Sequence, residues 1–355
     1  MFNYMLQSYP FTINVPGSIA NIGPGFDVIA GSISLQLKIK VQLSDFFKIT
    51  CDPELHNVSC DFEKNLITQT AYLVASAYSN VFPTNLHLTI NNTIPIGKGF
   101  GSSAAAIVAG IYLANYVCKM DLSLSEMLEI ATIIEGHPDN VAASIYGGIQ
   151  TCLLSDDNLE KLHNEYLEIT KRTDIYSVDK RILQKIIGPL KTFKIISNEI
   201  SFLQQIRLVL CIPDSTLDTT SSRSILPTKY SKSDVVFNLQ RLSMLILQLN
   251  TPDPDPEIFY SCLQDRLHQP YRGQILPDLQ KILLLNPLTI PGLLGFCLSG
   301  AGPSIVALAK YNEDLIIEYI QKEYIQKECD SNNYSFLISN FTKTGASYKK
   351  VFKNI

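Results

Sequence analysis

The apolar positions in the first part of the chain follow a strand period in some segments and a helical period in others. Alternation typical of half-buried strands occurs at residues 12–16, 32–43, 46–51 and 85–90. Apolar residues spaced three and four apart predict a helix over 65–80. Another helix, over 103–119, is apolar on most faces, and we therefore expect it to lie inside the core.

Residues typical of helix starts and helix ends define the next two elements. Ser123 and Glu126 have the spacing of a capping box, which predicts a helix that begins there and runs to about Glu135. Pro138 is typical of a helix start, and Gly147 is typical of a helix end. We expect two short helices separated by a turn.

The second part of the chain is richer in helical patterns. Strand-like and helical runs recur at residues 148–154, 206–212, 219–226, 232–249, 293–299 and 304–309. The composition changes near residue 205. We place there the boundary between a first domain, 1–205, and a second, 206–355.

Composition and charge restrict the partners. The chain has 355 residues, 46% of them hydrophobic, which is enough for a large core and for two domains. With a net charge of −4 and no long basic run, we expect no nucleic-acid or membrane-surface binding. The absence of a signal-peptide pattern predicts a cytoplasmic protein. Eight scattered cysteines without a CxxC pair predict reduced packing residues.

The segment PIGKGFGSSAAA, residues 95–106, has the composition of a phosphate-binding loop. Three glycines allow backbone N–H groups to turn toward one point, and the helix that follows presents its unsatisfied N–H groups there. Ser102 and Ser103 fall at the helix start. A serine hydroxyl in that place can cap the helix, bind a phosphate or ligate Mg²⁺.

Two common nucleotide loops fit this segment poorly. The Walker pattern is absent, because Lys98 is followed by Gly99 and not by Ser or Thr. The letters GFGSSA satisfy a dinucleotide fingerprint, with Asp121 about twenty residues further on. However, a polar loop over 93–98 separates the preceding strand from the first glycine of that pattern. A dinucleotide site is therefore disfavoured.

Three motifs in order resemble those of the GHMP kinases, the superfamily of galactokinases, homoserine kinases, mevalonate kinases and phosphomevalonate kinases. They are VPGSIANIGPGFD at 15–27, in the form typical of homoserine kinases, PIGKGFGSSAAA at 95–106, and LSGAGPSIVAL at 298–308. The likeness continues through EGHPDNVAASIYGG, STLDTTSSRSILP, VVFNLQRL and QDRLHQPYRGQILP. It covers most of the chain and is weakest over 154–200.

This resemblance implies an α+β fold of two domains. The first would resemble ribosomal protein S5 domain 2 and contain a left-handed βαβ crossover, and the second would be ferredoxin-like. It also implies a kinase that uses ATP and Mg²⁺ to phosphorylate L-homoserine in threonine biosynthesis, as a homodimer.

The nucleotide and metal residues follow from the same resemblance. Ser103 and Glu129 would ligate Mg²⁺, with Ser102 and Glu135 as the competing ligands. Thr219 would support the phosphates. The residues expected around the nucleotide are Asn65, Pro95, Ile96, Gly97, Lys98, Gly99, Phe100, Gly101, Ser102, Ser103, Ala104 and Ala105.

An amino-acid substrate needs cations for its carboxylate and a polar or acidic group for its ammonium. Arg223 and Arg272 offer guanidinium groups that bind a carboxylate bidentately, although Arg223 could instead cap or salt-bridge its own helix. By resemblance, the remaining substrate contacts would come from Asn21, Asp27, His137 and Gly300. His137 could also be only the cap of the next helix.

Two alternatives stay open for the catalytic base: either Asp139 is the general base, or the reaction uses no protein base. Some relatives have an aspartate base where Asn140 falls here, and homoserine kinases resemble this chain in having asparagine. If Asn140 holds that place, catalysis depends on alignment and charge neutralisation, which a loose phosphoryl-transfer transition state allows.

Two rival functions are weighed. One is another small-molecule kinase of the superfamily, for mevalonate or a sugar. The arginine pair together with ANIGPGFD disfavours it, since a sugar has no carboxylate for the arginines to bind. The other is a non-catalytic regulator that binds nucleotide and acts through protein contacts. Intact serine, carboxylate and threonine positions argue against such a loss of metal chemistry.

Overall fold

The computed structural model describes residues 9–53, 58–155, 158–171, 178–200, 206–217, 219–276, 281–283, 285–322 and 334–350. Its strands are β1 (Phe11–Ala20), β2 (Ile29–Leu43), β3 (Lys48–Cys51), β4 (Leu86–Asn92), β5 (Ile149–Leu154), β6 (Ile195–Ile200), β7 (Arg207–Pro213), β8 (Leu293–Leu298), β9 (Ile305–Ala309), β10 (Tyr334–Asn340) and β11 (Ser347–Lys350).

The helices connect these strands and cover the sheets. They are α1 (Leu66–Ala77), α2 (Ser102–Cys118), α3 (Leu124–Glu135), α4 (Asp139–Tyr146), α5 (Leu159–Thr170), α6 (Lys180–Ile186), α7 (Thr219–Ser224), α8 (Lys232–Asn250), α9 (Pro256–Leu263), α10 (Gln269–Arg272) and α11 (Glu313–Ile320), with a 3₁₀ turn at Pro287–Thr289. None of the described helices combines the length and the apolar character that crossing a bilayer requires.

The first sheet has the order β11-β1-β2-β4-β3, and β5 and β6 extend it from one end of β2. Its pairs are antiparallel except β3 and β4, which run parallel and are joined through α1. Parallel neighbours require such a crossover. This is the expected βαβ unit, and its left hand remains a prediction from the family likeness.

The second sheet has the antiparallel order β10-β7-β9-β8. In chain order this is 4-1-3-2, with helices between the first and second and between the third and fourth strands, which is the ferredoxin-like arrangement. The predicted α+β class with two sheets is confirmed. Buried apolar side chains from both strand sets fill the cores, including Phe11, Ile39, Leu208 and Phe296.

Helix α2 lies in the interior, as its apolar faces predict. Ala104, Ala109 and Leu113 are fully buried. Gly110 lets α1 approach closely, because a Cβ at that position would lie 2.6 Å from the carbonyl oxygen of Ile67. This close packing of α2 in the core fixes the direction in which its N-terminus points.

The end of the described chain returns to the first sheet. Strand β11 pairs with β1, with Phe11 opposite Lys350. Residues 347–350 therefore pack with the first sheet, although the predicted division assigns them to the second domain. The boundary near residue 205 itself stays a prediction.

Candidate active site

A cavity of about 440 Å³ lies where the glycine loop, the turn before α4 and the β8–β9 turn meet. The residues that line it come from distant parts of the chain. They include Asn21, Asn65, Pro95, Ile96, Gly97, Gly99, Phe100, Gly101, Ser102, Ser103, Glu135, His137, Asn140, Arg223, Arg272 and Gly300. Most of the predicted site residues are thus brought to one place.

The glycine loop needs its glycines at two positions in particular. Gly99 has a φ of 85°, and a Cβ there would lie 2.2 Å from the carbonyl oxygen of Ser299. Gly101 has a φ of 66°, and a Cβ there would lie 2.1 Å from the Ser18 hydroxyl. Both conformations disfavour any side chain. The loop is therefore fixed by close backbone packing against the first and third motifs.

The N-terminus of α2 faces the cavity without a side-chain cap. Gly101 is the N-cap residue and makes no side-chain capping hydrogen bond. The N–H group of Ala105 donates to the Gly101 carbonyl, so the N–H groups before it have no partner one helical turn earlier. Backbone donors and the positive end of the helix dipole together favour an anion at this point.

Three of the predicted loop residues do not line the cavity. Ala104 and Ala105 are fully buried, so they contribute backbone and core packing only. The Lys98 ammonium donates to the carbonyl oxygens of Pro213, Asp214 and Ser215 at 2.7, 2.6 and 2.9 Å. Its charge ties the loop to the end of β7, so its side chain is engaged there, and a nucleotide contact of Lys98 through its backbone stays a prediction.

The carboxylate beside Ser103 is Glu135 and not Glu129. The Ser103 hydroxyl donates to Oε1 of Glu135 over 2.9 Å, and both residues line the cavity. Glu129 is buried elsewhere, with its oxygens 3.1 Å from the ammonium of Lys191 and 3.0 Å from that of Lys194. The prediction of Glu129 as a metal ligand is therefore corrected, because its charge is already neutralised by two lysines.

A second polar group surrounds the start of α4. Asp139 Oδ1 lies 2.8 Å from Nδ1 of His137 and accepts a 2.8 Å hydrogen bond from the N–H of Asn140. Burial lowers the pKa of His137, but the charge of Asp139 outweighs it, and the pKa rises to about 9. His137 is therefore a contact of Asp139, which makes it more than a helix cap.

Asn140 lines the cavity and Asp139 does not. The hydroxyl of Ser18, in the first motif, donates to Oδ1 of Asn140 over 2.7 Å. This bond fixes the amide orientation and leaves Nδ2 available as a donor. The group that lines the site at this point is therefore an uncharged amide.

The opposite end of the cavity carries two arginines. Arg223 makes two 2.7 Å hydrogen bonds to the two carboxylate oxygens of Asp27. Burial disfavours the charge on Arg223, but Asp27 outweighs this and holds the pKa of the guanidinium above its usual value. Arg223 thus has an ion-pair partner outside its own helix, while it also lines the cavity.

Arg272 is almost fully buried and is held from two sides. Its NH1 group lies 3.0 Å from the Gly300 carbonyl and 3.1 Å from Nδ1 of His268. Burial lowers its pKa to about 10, and the nearby charge of Arg223 adds to the effect. Asn21 also donates to Gly300, over 3.0 Å. Gly300 therefore joins the first motif to the third through its carbonyl.

Phe26 was missed by the sequence analysis. Both guanidinium groups, of Arg223 and Arg272, lie 5.2 Å from the centre of its ring, and the ring of His268 stacks on it. An aromatic ring close to two cations offsets part of their repulsion. The position of Phe26 in the first motif, directly before Asp27, could have identified it as a site residue.

The two remaining predicted residues have different outcomes. Asn65 lines the cavity, but its amide also has a structural role: Oδ1 caps α1 at the N–H of Ile67, and Nδ2 donates to the Ser59 carbonyl. Thr219 begins α7, and its side chain lies outside the part of the chain that the structure describes.

Known proteins resemble this chain over most of its length. The pattern that defines the GHMP kinases N terminal domain matches residues 65–148. The homoserine kinase of Schizosaccharomyces pombe is 39% identical over 86% of this chain and 90% of its own length. That of Saccharomyces cerevisiae is 36% identical over 89% and 92%.

Solved structures share the fold. The homoserine kinase of Cytophaga hutchinsonii superposes with a TM-score of 0.71 at 21% identity, covering 96% of this chain and 97% of that one. A phosphomevalonate kinase of Streptococcus pneumoniae gives 0.62 at 12% identity, over 91% and 99%. With the sequence likeness, these findings show that the chain belongs to the homoserine kinase family of the GHMP kinases.

Proposed function

We propose that this chain transfers the γ-phosphoryl group of ATP to the side-chain hydroxyl of L-homoserine, giving ADP and O-phospho-L-homoserine. One observation carries the proposal: a single cavity joins the uncapped N-terminus of α2 to the arginine pair. The first feature suits a triphosphate, and the second suits the carboxylate of a small amino acid.

The triphosphate would lie against the glycine loop, with Thr219 as a further phosphate contact. Backbone N–H groups of the loop and of the first turn of α2 would bind its oxygens. Asn65, which lines the cavity at the start of α1, would lie near the adenine. The Lys98 side chain would hold the loop to the end of β7.

The donor set next to the phosphates fits Mg²⁺. Ser103 and Glu135 place one hydroxyl and one carboxylate oxygen 2.9 Å apart, and hard oxygen ligands of this kind suit an ion that keeps several waters. Ser103 and Glu135 would hold the ion, with Ser102 as an alternative hydroxyl. When bound, Mg²⁺ neutralises charge on the β- and γ-phosphates.

The amino-acid end of the substrate would be held by charge. Arg272 and Arg223 would bind the carboxylate. The Asp27 carboxylate, which accepts from Arg223, would face the ammonium group, and His137, which lines the cavity, would add a polar contact. Asn21 and Gly300 complete this end.

The reaction proposed is in-line attack without a strong base. The substrate hydroxyl oxygen forms a bond to the γ-phosphorus, the bond from that phosphorus to the bridging oxygen of ADP breaks, and the hydroxyl proton passes to the transferred phosphate or to water. Asn140, oriented by Ser18, would donate to the reacting oxygens. Alignment supplies most of the acceleration, as a loose transition state allows.

The same proposal assigns the protein to threonine biosynthesis, in the cytoplasm and as a homodimer. It is tested by ADP release with MgATP and one acceptor at a time: L-homoserine, mevalonate, galactose or none. ADP release that requires homoserine supports the proposal. Turnover restricted to mevalonate or galactose contradicts it, and nucleotide binding without turnover on any acceptor would favour the regulator.

A further inference from the structure

Two thiols lie against each other beside the cavity. Sγ of Cys60 is 2.9 Å from Sγ of Cys51. Cys60 is exposed, and Cys51, the last residue of β3, is half-buried. The expectation of a buried packing residue is therefore wrong for Cys60, whereas Cys51 packs against the core. Two adjacent thiols at a surface can react with each other.

Both thiols are attached to ordered backbone. Cys51 is opposite Ile90 in the parallel pair of β3 and β4, and the next N–H group, of Asp52, donates to the Ile90 carbonyl over 3.0 Å. Beside Cys60, the backbone N–H of Asp61 donates to the Ser59 hydroxyl. A disulfide bond is roughly 0.9 Å shorter than the present separation, so it can form with little movement.

The same backbone forms one wall of the cavity. Val58, Ser59 and Ile90 line the cavity, together with Asn65. The Ser59 carbonyl accepts a 2.7 Å hydrogen bond from Nδ2 of Asn65, the residue that caps α1. A bond between the two sulfurs would therefore tie the end of β3 to the segment that leads into α1, across the wall of the cavity.

We propose that Cys51 and Cys60 form a reversible disulfide that couples the thiol–disulfide balance of the surroundings to the affinity of the cavity for adenine nucleotide. The coupling rests on the proposed function, since the cavity is taken as the nucleotide site. The oxidant is a small-molecule disulfide such as glutathione disulfide.

The exchange balances in two steps. The thiolate of Cys60 attacks one sulfur of glutathione disulfide, whose S–S bond breaks and releases one glutathione thiolate. The sulfur of Cys51 then attacks the Cys60 sulfur, its proton passes to water, and the second glutathione thiolate leaves. The two protein sulfurs lose two electrons, which the glutathione disulfide gains. Cys60 is exposed and Cys51 is half-buried, so Cys60 reacts first.

The bond is expected to strengthen nucleotide binding. It holds the wall in the conformation in which the cavity is open and removes alternatives in which Val58 and Ser59 move away. A wall ordered in advance loses less freedom when ligand binds. We expect the dissociation constant for MgADP to fall about threefold on oxidation, and by reciprocity MgADP should favour the disulfide.

The test equilibrates the purified protein in glutathione buffers of increasing oxidised fraction, blocks remaining thiols by alkylation, and maps linked peptides by mass spectrometry. Calorimetry then measures MgADP binding in both states. We expect a peptide pair joined through Cys51 and Cys60, reversed by dithiothreitol, with threefold tighter binding. Cys60→Ser should abolish both effects, whereas Cys118→Ser, which removes a thiol outside the pair, should leave both intact.

Failure to form the linked peptide in the most oxidising buffer overturns the proposal, and so does a linked protein whose affinity is unchanged or weaker. The thermal midpoint of Cys60→Ser in reducing buffer verifies that the variant is folded. Absence of MgADP binding in both states would instead overturn the proposed function, and the coupling with it. A failure of the redox proposal alone leaves MgADP binding intact, so the two failures are distinguishable.

Discussion

The hydroxyl of Ser103 donates a 2.9 Å hydrogen bond to Glu135, joining the first turn of α2 to the last residue of α3 at the edge of the cavity. Burial raises the pKa of the Glu135 carboxyl, and the charge of His137 and the Ser103 hydrogen bond oppose this only in part. A cation bound between these oxygens would satisfy the carboxylate fully. The pair therefore suggests a direct comparison of the two glutamates of α3.

Glu135→Gln should lower activity and leave stability nearly unchanged, whereas Glu129→Gln should lower stability and leave activity nearly unchanged. Removing the charge of Glu135 should lower kcat at least a hundredfold and raise the Mg²⁺ concentration needed for half-maximal rate, with little change in unfolding free energy. Glu129→Gln leaves buried Lys191 without its partner and should cost about 3 kcal/mol of stability while kcat stays within threefold. Kinetics at varied Mg²⁺ and urea unfolding measure both. If instead Glu129→Gln alone lost activity, the metal assignment would be reversed.

Arg223→Lys should raise the KM for homoserine at least tenfold. Lysine keeps the charge but loses the two parallel hydrogen bonds that the guanidinium makes to Asp27, so both the cation and the carboxylate at this end are misplaced. The KM for ATP and the urea midpoint should change little. Arg207→Lys, which changes an exposed ion pair with Glu313, is the matched control. An unchanged KM for homoserine would remove Arg223 from the substrate site.

Asp139→Asn should retain kcat within about tenfold. Asp139 does not line the cavity, and one of its oxygens is already engaged by His137 and by the Asn140 N–H. The substitution should therefore act mainly on stability. A thousandfold loss of kcat with unchanged urea unfolding would identify Asp139 as the general base and refute the base-free mechanism.

His268 should make the protein acid-sensitive. Burial lowers the pKa of this histidine, which accepts from Arg272 at Nδ1 and donates from Nε2 to the Gly23 carbonyl in the neutral form. Below the unfolded value near 6.5 the unfolded chain binds a proton that the native state does not, so stability falls with decreasing pH by up to about 1.4 kcal/mol per unit.

The variant His268→Gln isolates this contribution. Glutamine offers one acceptor and one donor and does not titrate, so the difference in unfolding free energy between wild type and variant should change between pH 7 and pH 5. Urea unfolding at several pH values measures it. A constant difference across this range would show that His268 does not titrate differently in the two states.

Local signals predicted more of this molecule than distant ones. The glycine loop that leads into α2 follows from neighbouring residues, and the Ser123–Glu126 capping box was predicted and is present. The choice between Glu129 and Glu135 could not be made from sequence. Both lie on one helix, and which one faces Ser103 depends on how α3 packs and on Lys191 and Lys194, which lie in the weakest part of the motif pattern.

Pairing between segments that are far apart in the chain could not be predicted from the sequence either. Residues 195–200 were not predicted as a strand, although β6 pairs along the whole of β5. The return of β11 to β1 places the end of the described chain beside Phe11, more than three hundred residues away. The packing of Phe26 against both Arg223 and Arg272 likewise requires three separate segments to meet. Single-segment patterns hold no information about such contacts.

The most direct measurement is a competition for phosphate. The protein is incubated with MgATP labelled in the γ-phosphoryl group and an equimolar mixture of L-homoserine, L-serine, mevalonate and galactose, and the labelled products are identified by mass spectrometry. We predict that O-phospho-L-homoserine carries nearly all of the label and that none appears without the protein. Label found mainly on mevalonate or galactose, or only in inorganic phosphate, would contradict the account.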